Sequence, residues 1–272
     1  MPKIVGAETL APDINKIVVE APQIASKASA GQFVVLRVDE QGERIPLTIF
    51  DWDSGEGTID LVFLKVGTST QKLGRLKAGD TLADILGPLG KPFPVKKYGK
   101  IACVGGGLGI PAIHPIARAM RQAGNEVVSV VGARTRQLMI LSDEMSCASD
   151  SLLMCSDDGS CGVKGFVTNV LTDVLDDLDL VVAVGPVKMM EAVAELTRNK
   201  ADTIVSLNPV MVDGTGMCGA CRVKVGGQVK FACVDGPDFN AHQVDFKELW
   251  NKNNQYVESE RHSMKCWGRG ND

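Results

Sequence analysis

One short segment near the C-terminus constrains the fold more than any other part of the chain. It runs Asp213-Gly-Thr-Gly-Met-Cys218-Gly-Ala-Cys221 and is followed by Cys233. This is the plant-type iron–sulfur spacing C-x4-C-x2-C…C with aspartate in the first cysteine position. Iron bound to sulfide prefers soft, anionic thiolates, and two tetrahedral irons need four protein ligands. Three glycines let the backbone fold tightly around such a core: Gly214, Gly216 and Gly219. The segment therefore predicts a [2Fe-2S] cluster with Asp213, Cys218, Cys221 and Cys233 as ligands.

Two alternatives for these cysteines stay open. A reduced C-x2-C pair buried as small apolar side chains and a zinc site with a distant fourth ligand are both compatible with the spacing. Zinc would be expected to bring a second close Cys or His pair, whereas Cys233 stands alone after a hairpin-like stretch with a turn signal at Gly226-Gly227. Asp235 and Cys266 are lesser candidates for the fourth ligand.

The composition is that of an ordinary globular protein. A length of 272 residues exceeds one average domain and indicates two or three modules. The net charge of -4, without a basic stripe, argues against nucleic acid as a partner. No apolar run reaches the roughly 20 residues of a membrane span, and a signal-peptide pattern is absent. We expect a soluble, cytoplasmic protein with free thiols. Five cysteines have no regular ligand spacing: Cys103, Cys147, Cys155, Cys161 and Cys266.

The pattern along the chain predicts a β-barrel followed by an α/β domain. Short β-rich segments separated by Gly, Pro and Asp turns lie at 16–20, 33–38, 58–64 and 81–86. Several short strands at this spacing indicate a small antiparallel barrel, which we assign to residues 1–97. Strand signals then alternate with helix signals at 101–104, 110–123, 126–131, 152–155, 163–175, 180–184 and 188–198. This alternation predicts a parallel, doubly wound nucleotide-binding domain at 98–203. The cluster domain and a polar tail, with a helix near 244–251, occupy 204–272.

A glycine-rich run lies between the first strand and the first helix of the α/β part. Glycines there let a phosphate approach backbone N–H groups, and the helix N-terminus supplies positive potential. The run is not a strict G-x-G-x-x-G, because Ile110 stands where the third glycine is expected, and a tight turn without a ligand is the alternative. The candidate nucleotide-binding residues are Gly105, Gly106, Gly107, Leu108, Gly109, Ile110 and Pro111. Two more loops follow strands of the same sheet and would line the same crevice: Asp157, Asp158 and Gly159, then Gly185, Pro186 and Met189.

The order of barrel, Gly-Gly-Gly-x-Gly domain and iron–sulfur loop resembles the ferredoxin reductase superfamily, in the branch of the dihydroorotate dehydrogenase electron-transfer subunits. Within that branch, the segments 43–49 and 157–160, and above all Asp213 in place of cysteine, are similar to the small subunits of NADH-dependent reduced ferredoxin:NADP oxidoreductases. Those complexes perform flavin-based electron bifurcation. The resemblance covers nearly the whole chain.

The resemblance implies FAD and NAD(H) as further cofactors and no catalytic acid, base or nucleophile. It places the flavin contacts at Pro46, Leu47 and Thr48, and the rest of FAD at Val62, Phe63, Leu64, Gly67, Ser69 and Thr70. The superfamily pattern Arg-x-Tyr-Ser/Thr is altered, because Pro46 occupies the aromatic position and Arg44 lies one residue too early. A role for Arg44 on the FAD diphosphate rests on its charge, and a surface arginine is the alternative.

Nucleotide preference receives opposite indications. Arg134 and Arg136 follow the second strand of the α/β part, where a basic residue could accept a 2′-phosphate and favour NADP. The resemblance implies NAD(H), and we follow it. The histidines His114, His242 and His262 form no catalytic or metal constellation and are expected to be structural.

The function implied by the resemblance is hydride exchange between NAD(H) and FAD, with single electrons relayed through the cluster to a larger subunit. That partner would be a flavoprotein with FAD and [4Fe-4S] clusters, in a heterodimer or larger complex that reaches ferredoxin. One alternative is the electron-transfer subunit of an NAD-dependent dihydroorotate dehydrogenase, which four cysteine ligands would favour. Another is a non-catalytic iron–sulfur assembly or redox-sensing subunit that has lost flavin.

Overall fold

The computed structural model describes residues 1–269, and its first part is a six-stranded antiparallel sheet. The strands are β1 (Ile4–Ala11), β2 (Ile14–Glu20), β3 (Phe33–Arg37), β4 (Arg44–Asp53), β5 (Thr58–Leu64) and β6 (Asp84–Leu89), with the short helices α1 (Pro22–Ala25) and α2 (Thr68–Leu73). They pair in the order β1-β2-β5-β4-β3-β6. Buried residues alternate with more exposed ones at the start of β5, Thr58-Ile-Asp-Leu, so that one face of the sheet turns inward. The fully buried side chains inside include Ile17, Leu36, Ile59, Leu61 and Phe63.

Backbone pairing between the two edges closes this sheet into the predicted barrel. Lys3, just before β1, bridges Thr81, just before β6. Ile4 N donates to Asp80 O at 2.8 Å and Leu82 N donates to Pro2 O at 2.9 Å. This pairing is confined to the start of the two edge strands, so the barrel is closed at that end. The strand predicted at 81–86 begins later, at Asp84, because Thr81 belongs to the closing bridge.

The second part is a parallel sheet with helices on both faces, as predicted. Its elements are β7 (Lys100–Gly106), α3 (Gly109–Gln122), β8 (Glu126–Ala133), α4 (Ser142–Ala148), β9 (Ser151–Ser156), β10 (Val163–Lys164), α5 (Val167–Thr172), β11 (Leu180–Val184), α6 (Val187–Leu196) and β12 (Asp202–Ser206). The helices α3 and α4 bury Ile113, Ile116 and Met145 against one face. The helices α5 and α6 bury Leu171 and Met190 against the other. The strands are apolar on both faces, which a doubly covered parallel sheet requires.

The last part carries the cysteine loop and then returns to the second sheet. It contains β13 (Arg222–Val225), β14 (Gln228–Phe231), α7 (Ala232–Asp235), β15 (Asp238–Asn240), α8 (Phe246–Asn254) and α9 (Val257–Arg269). Gly226 and Gly227 form the predicted hairpin turn, with φ of 58° and 77°. The strand β15 pairs antiparallel with β12 and extends the second sheet, whose order is β10-β9-β8-β7-β11-β12-β15.

Two features of this last part differ from the pattern expected of a polar tail. The residues directly after Pro237 form a strand, and α8 begins at Phe246 and ends at Asn254 rather than spanning 244–251. Phe246 and Leu249 are buried in the same core as α6. The strand β12 crosses the predicted boundary at 203/204, and the exact division into three domains stays a prediction. Within residues 1–269, no helix is both long and apolar enough to cross a bilayer.

Candidate functional site

A cavity of about 980 Å³ lies where the barrel, the α/β sheet and the start of the last part meet. This volume is at the upper end of the usual range for ligand sites, about 300–1,000 Å³. The cavity opens at the carboxyl ends of the parallel strands, where open α/β sheets bind ligands. Many of the residues predicted from the sequence line it: Pro46, Leu47, Thr48, Leu64, Gly106, Gly107, Leu108, Gly109, Arg134, Asp157, Gly185, Pro186 and Met189.

The glycine loop after β7 has the shape of a phosphate cradle. Gly107 has a φ of 55°, and a Cβ built on it would meet no atom within 4 Å. Gly107 N donates to Gly132 O at 2.9 Å, which fixes the turn. A Cβ on Gly109 would collide with the carbonyl of Val184, so α3 can begin close to β11 only without a side chain there. Among the described residues, no side chain caps the first turn of α3. Ile110 N donates to Gly107 O at 3.1 Å and Pro111 has no N–H, so an anion here would meet the amide at the start of α3 and the positive end of the helix dipole, which fits a dinucleotide phosphate.

The barrel supplies an apolar wall opposite this loop. Pro46, Leu47 and Thr48 lie on β4 and pair with Val35, Val34 and Phe33 of β3. Pro46, Leu47 and Leu64 present apolar surface to the cavity, and Thr48 adds one hydroxyl. Apolar walls with few polar groups are typical of cofactor sites. The apolar side chains and the single hydroxyl of this wall fit a flavin ring.

Other predicted FAD residues lie outside the cavity lining. Val62 and Phe63 are buried on opposite sides of β5, in two different cores. Gly67 is the N-cap of α2, and the Thr70 hydroxyl accepts hydrogen bonds from Val66 N and Gly67 N, both at 3.0 Å. Ser69 Oγ donates to Glu43 Oε2 at 3.4 Å. Arg44 is exposed, opposite Arg37. Their contacts with FAD stay predictions.

The residues that follow β8 and β9 are divided between the cavity and a local turn. Asp157 and Arg134 reach the cavity, whereas Asp158 closes a local turn. Its Oδ1 accepts from Ser160 N at 2.9 Å and from Ser160 Oγ at 2.6 Å. Arg136 Nε donates to Ser160 O at 3.0 Å. Of the two arginines, Arg134 is thus the one on the cavity. Three residues predicted as part of the glycine-rich nucleotide loop are buried and do not line the cavity: Gly105, Ile110 and Pro111.

The cavity also has lining residues that the sequence did not indicate. They come from the starts of β3, α5 and β15 and from the end of β12, and include Gly31, Phe33, Phe166, Thr168, Ser206 and Pro237. The carboxyl-end rule for strands could have suggested Ser206. Phe33 and Pro237 come from other parts of the chain, and only the tertiary fold brings them here.

The cysteine loop lies beyond Phe33 and is shaped by its glycines. Gly214, Gly216 and Gly219 have φ of 74°, 87° and 64°. A Cβ on Gly214 would stand 2.8 Å from side-chain atoms of Leu89 and Val35, and 3.8 Å from the Phe33 ring. A side chain at position 214 would therefore overlap the barrel residues against which the loop packs. Phe33 borders the cavity on one side and the loop on the other.

Two of the predicted cluster ligands lie side by side. The sulfurs of Cys221 and Cys233 are 3.1 Å apart and buried, while Cys218 is exposed and its sulfur accepts from Ala220 N at 3.5 Å. Burial and the neighbouring Cys221 thiol raise the pKa of Cys233 to about 12. Binding of a metal to this pair would therefore release protons. Across residues 1–269 no three His, Cys, Asp or Glu side chains gather into a metal-binding group, so the full ligand set stays a prediction. Thiol donors fit iron.

Asp213 is held by the amides of its own loop. Its Oδ1 accepts from Thr215 N at 3.0 Å, and its Oδ2 accepts from Cys218 N at 2.8 Å. The Thr215 amide, followed by groups of Cys218, lowers the pKa of Asp213 to about 2. The lesser candidates are used elsewhere. Asp235 Oδ2 accepts from Phe231 N at 2.8 Å, and Cys266 lies on α9 with its sulfur 3.6 Å from His262 Nε2.

Comparison with known proteins gives matches over nearly the whole chain. Residues 208–245 match the family model described as the iron-sulfur cluster binding domain of dihydroorotate dehydrogenase B. A Thermotoga maritima protein named dihydroorotate dehydrogenase B (NAD(+)), electron transfer subunit homolog, is 46% identical over 262 residues, covering 95% of this chain and 93% of its own. The corresponding subunit of Streptococcus pneumoniae (strain ATCC BAA-255 / R6) is 31% identical over 250 residues, covering 89% and 96%.

A solved structure matches the fold over its full length. A chain from a structure of an NADH-dependent reduced ferredoxin-NADP oxidoreductase, described in connection with flavin-based electron bifurcation, superposes with a TM-score of 0.93. It is 44% identical in sequence, and the match covers 98% of both chains.

Proposed function

The chain belongs to the family of dihydroorotate dehydrogenase B electron-transfer subunits and their homologs, and on this basis we propose that it is the electron-transfer subunit of an electron-bifurcating NADH-dependent ferredoxin:NADP oxidoreductase. The observation that carries this proposal is the match to the bifurcating oxidoreductase chain, with 98% coverage on both sides. The aspartate at position 213 distinguishes this chain from a four-cysteine loop.

The arrangement of the cavity and the cysteine loop supports electron transfer rather than acid–base chemistry. When bound, FAD connects the two-electron hydride of NADH to single-electron transfer, and the [2Fe-2S] cluster carries the electrons one at a time. The chain's own residues hold and orient. Gly107 and the first turn of α3 are placed to bind a phosphate, and Pro46, Leu47 and Leu64 exclude water. No general base or covalent nucleophile is needed.

Phe33 links the two sites physically. Phe33 lines the cavity, and its ring lies beside Gly214, at the start of the cysteine loop. Phe33 and Val35 share a core with Cys221 and Cys233. A cofactor held against β3 would therefore be separated from the cysteine loop by one layer of packed side chains. This supports a direct route for electrons between them.

The partner is also part of the proposal. We infer a larger flavoprotein subunit with FAD and [4Fe-4S] clusters, in a heterodimer or larger complex that reaches ferredoxin, in the cytoplasm. Around the cysteine loop, Met217, Val212 and Val234 expose apolar surface, and Met217 is 89% exposed. Exposed apolar residues that cluster around a redox site are typical of a surface that a partner covers.

Anaerobic purification of the native complex tests the proposal. We expect FAD, iron and acid-labile sulfide in the small subunit, co-purification of a larger FAD and [4Fe-4S] flavoprotein, and NADH-dependent reduction of artificial acceptors by the small subunit alone. A preparation without iron, sulfide and flavin would contradict the proposal. NADH and NADPH compared side by side would settle the preference at Arg134.

A second candidate is the electron-transfer subunit of an NAD-dependent dihydroorotate dehydrogenase. The match of residues 208–245 to the iron–sulfur domain of that enzyme favours it. Asp213 in place of the first cysteine argues against it. Co-purification separates the two candidates, because a partner with FMN would indicate dihydroorotate oxidation.

A further inference from the structure

A buried carboxyl group without a partner among residues 1–269 lies where the three parts of the chain meet. Asp238 is the first residue of β15, directly after Pro237 and opposite Ser206 of β12. Both of its carboxyl oxygens are shielded from solvent, and neither meets hydrogen-bond geometry with a partner in the described part of the chain, although the Ser206 hydroxyl lies close enough to lower the pKa of the carboxyl slightly. Buried polar groups are nearly always hydrogen-bonded, and an unpaired buried carboxylate is costly. An unpartnered carboxyl here therefore calls for a physical cause.

Asp238 lies directly behind the wall of the cavity. A Cβ on Gly31 would stand 2.9 Å from Asp238 Oδ2 and 3.1 Å from Phe93 Cβ, so the carboxyl packs against the backbone of Gly31. Gly31, Ser206 and Pro237 all line the cavity. These three residues come from the barrel, from the α/β sheet and from the last part of the chain. The carboxyl thus borders the proposed flavin site from outside its lining.

No charged group within residues 1–269 compensates this carboxyl. Burial raises the pKa of Asp238 to about 7, and the Ser206 hydroxyl opposes this with a smaller effect. Charged residues on the adjoining segments point elsewhere. Lys91, whose amide donates to Gly236 O at 2.7 Å, has an exposed side chain, and Asp235 Oδ2 accepts from Phe231 N. The proton affinity of Asp238 is therefore set by burial and by any charge that enters the cavity.

We propose that Asp238 takes up one proton from solvent when reduction adds one net negative charge to a cofactor in the cavity, and releases it when reoxidation removes that charge. This inference rests on the proposed function, in which NADH is oxidised by giving up a hydride, two electrons and one proton, and so adds one net negative charge to the acceptor. On reduction, one O–H bond forms at the carboxylate, so the added negative charge and the added proton balance. On reoxidation, the O–H bond breaks and the proton returns to solvent. The summed charge of the cofactor and the carboxyl is then the same in both states.

The physical reason is the low polarity of the junction. A negative charge beside a buried carboxylate disfavours the ionised form and favours protonation. The interaction is little screened because water is excluded from both carboxyl oxygens. An exposed carboxylate on the same strand pair would show no such response. Asp202, at the opposite end of β12, is exposed and provides that comparison.

Infrared difference spectroscopy of the full chain with bound FAD tests the proposal. Spectra of electrochemically reduced minus oxidised protein would be recorded from about pH 6 to about pH 9 for the parent, Asp238→Asn and the control Asp202→Asn. We expect a protonated-carboxyl C=O band to grow on reduction above about pH 7 in the parent and in Asp202→Asn. The band should be lost in Asp238→Asn. Reduction-linked proton uptake, measured with a pH indicator, should fall in that variant alone.

The outcomes separate the two levels of inference. FAD retention and reduction by NADH are measured first on the parent, and their absence overturns the proposed function together with the role of Asp238. If FAD binds and is reduced but the carboxyl band persists in Asp238→Asn, only the role of Asp238 is overturned. If Asp238→Asn does not fold, the infrared spectra of the parent protein alone test the proposal. A parent without any reduction-linked carboxyl band across the pH series contradicts the proposal.

Discussion

The cysteine loop and the cavity are both glycine-rich, but their glycines have different surroundings. In the cysteine loop, the vacant side of Gly214 is filled by Leu89 and Val35, and the Asp213 carboxylate accepts two backbone N–H groups. In the cavity, Gly107 faces open space, and the carboxyl behind the wall, Asp238, has no partner among the described residues. Protein contacts thus fix Gly214 and Asp213 in the cysteine loop. Among the described residues, Gly107 and Asp238 have no comparable contacts.

This difference teaches what each glycine is for. A glycine whose missing side chain is replaced by packed neighbours sets the shape of the backbone, so its substitution should lower stability. A glycine that faces empty space leaves room for a ligand, so its substitution should lower affinity. The two aspartates also differ. Backbone N–H groups lower the pKa of Asp213 to about 2, whereas burial raises the pKa of Asp238 to about 7.

The largest effect is expected at the buried cysteine pair. Cys221→Ser removes a thiolate that lies 3.1 Å from the Cys233 sulfur, so the cluster should be lost completely while FAD is retained. Iron and sulfide content, with the absorbance spectrum, would measure this. Cys147→Ser changes an exposed cysteine on α4 and should leave the iron content unchanged. Equal iron content in the two variants would show that Cys221 is not a cluster ligand.

The unpartnered carboxyl should make stability depend on pH. The folded-state pKa of Asp238 is about 7, whereas the ordinary pKa of an aspartate is 3.8, so the native state binds more protons than the unfolded state between these values. Its contribution therefore falls as pH rises through this window, by on the order of 4 kcal/mol in total. Denaturant unfolding of Asp238→Asn should show a flatter pH dependence and higher stability near pH 8. Parallel curves for parent and variant would show that Asp238 has a partner in solution.

The packed glycine should matter for stability. Gly214→Ala places a methyl group 2.8 Å from Leu89 and Val35 at a φ of 74°, and we expect a loss of roughly 2–3 kcal/mol. Gly227→Ala, at a φ of 77° with no atom within 4 Å, should cost only about 1 kcal/mol. Thermal or denaturant unfolding compares the two. If both cost the same, packing against the barrel does not shape the cysteine loop.

The open glycine should matter for binding. Gly107→Ala should lower stability by only about 1 kcal/mol, because nothing lies within 4 Å, but weaken nucleotide binding about tenfold by filling the phosphate cradle. Gly124→Ala also changes a glycine at positive φ, 83°, and the added methyl group also meets no atom within 4 Å. It lies at the end of α3, away from the cavity, and should bind nucleotide like the parent. Titration calorimetry with NADH and NAD⁺ would measure both; unchanged affinity in Gly107→Ala would refute the cradle.

The sequence predicted those features that depend on local pattern. Short β-rich segments between Gly, Pro and Asp turns predicted the barrel strands, strand–helix alternation predicted the doubly wound sheet, and Gly226-Gly227 predicted the hairpin. Closure of the barrel through Lys3 and Thr81 could not be predicted, because it depends on distant segments meeting. The same holds for Phe33 and Asp238. In the sequence they are a strand residue and a polar residue after a proline, and only tertiary packing brings them to the cavity wall.

The most direct test of a connected cavity and cysteine loop is anaerobic addition of NADH to the isolated subunit, followed by absorbance and low-temperature EPR. We predict bleaching of the flavin together with the EPR signal of a reduced [2Fe-2S] cluster, and in Cys221→Ser bleaching without that signal. The contradicting result has two parts. The flavin of the parent bleaches while the cluster stays oxidised, and a separate titration shows that the midpoint potential of the cluster is high enough for NADH to reduce it.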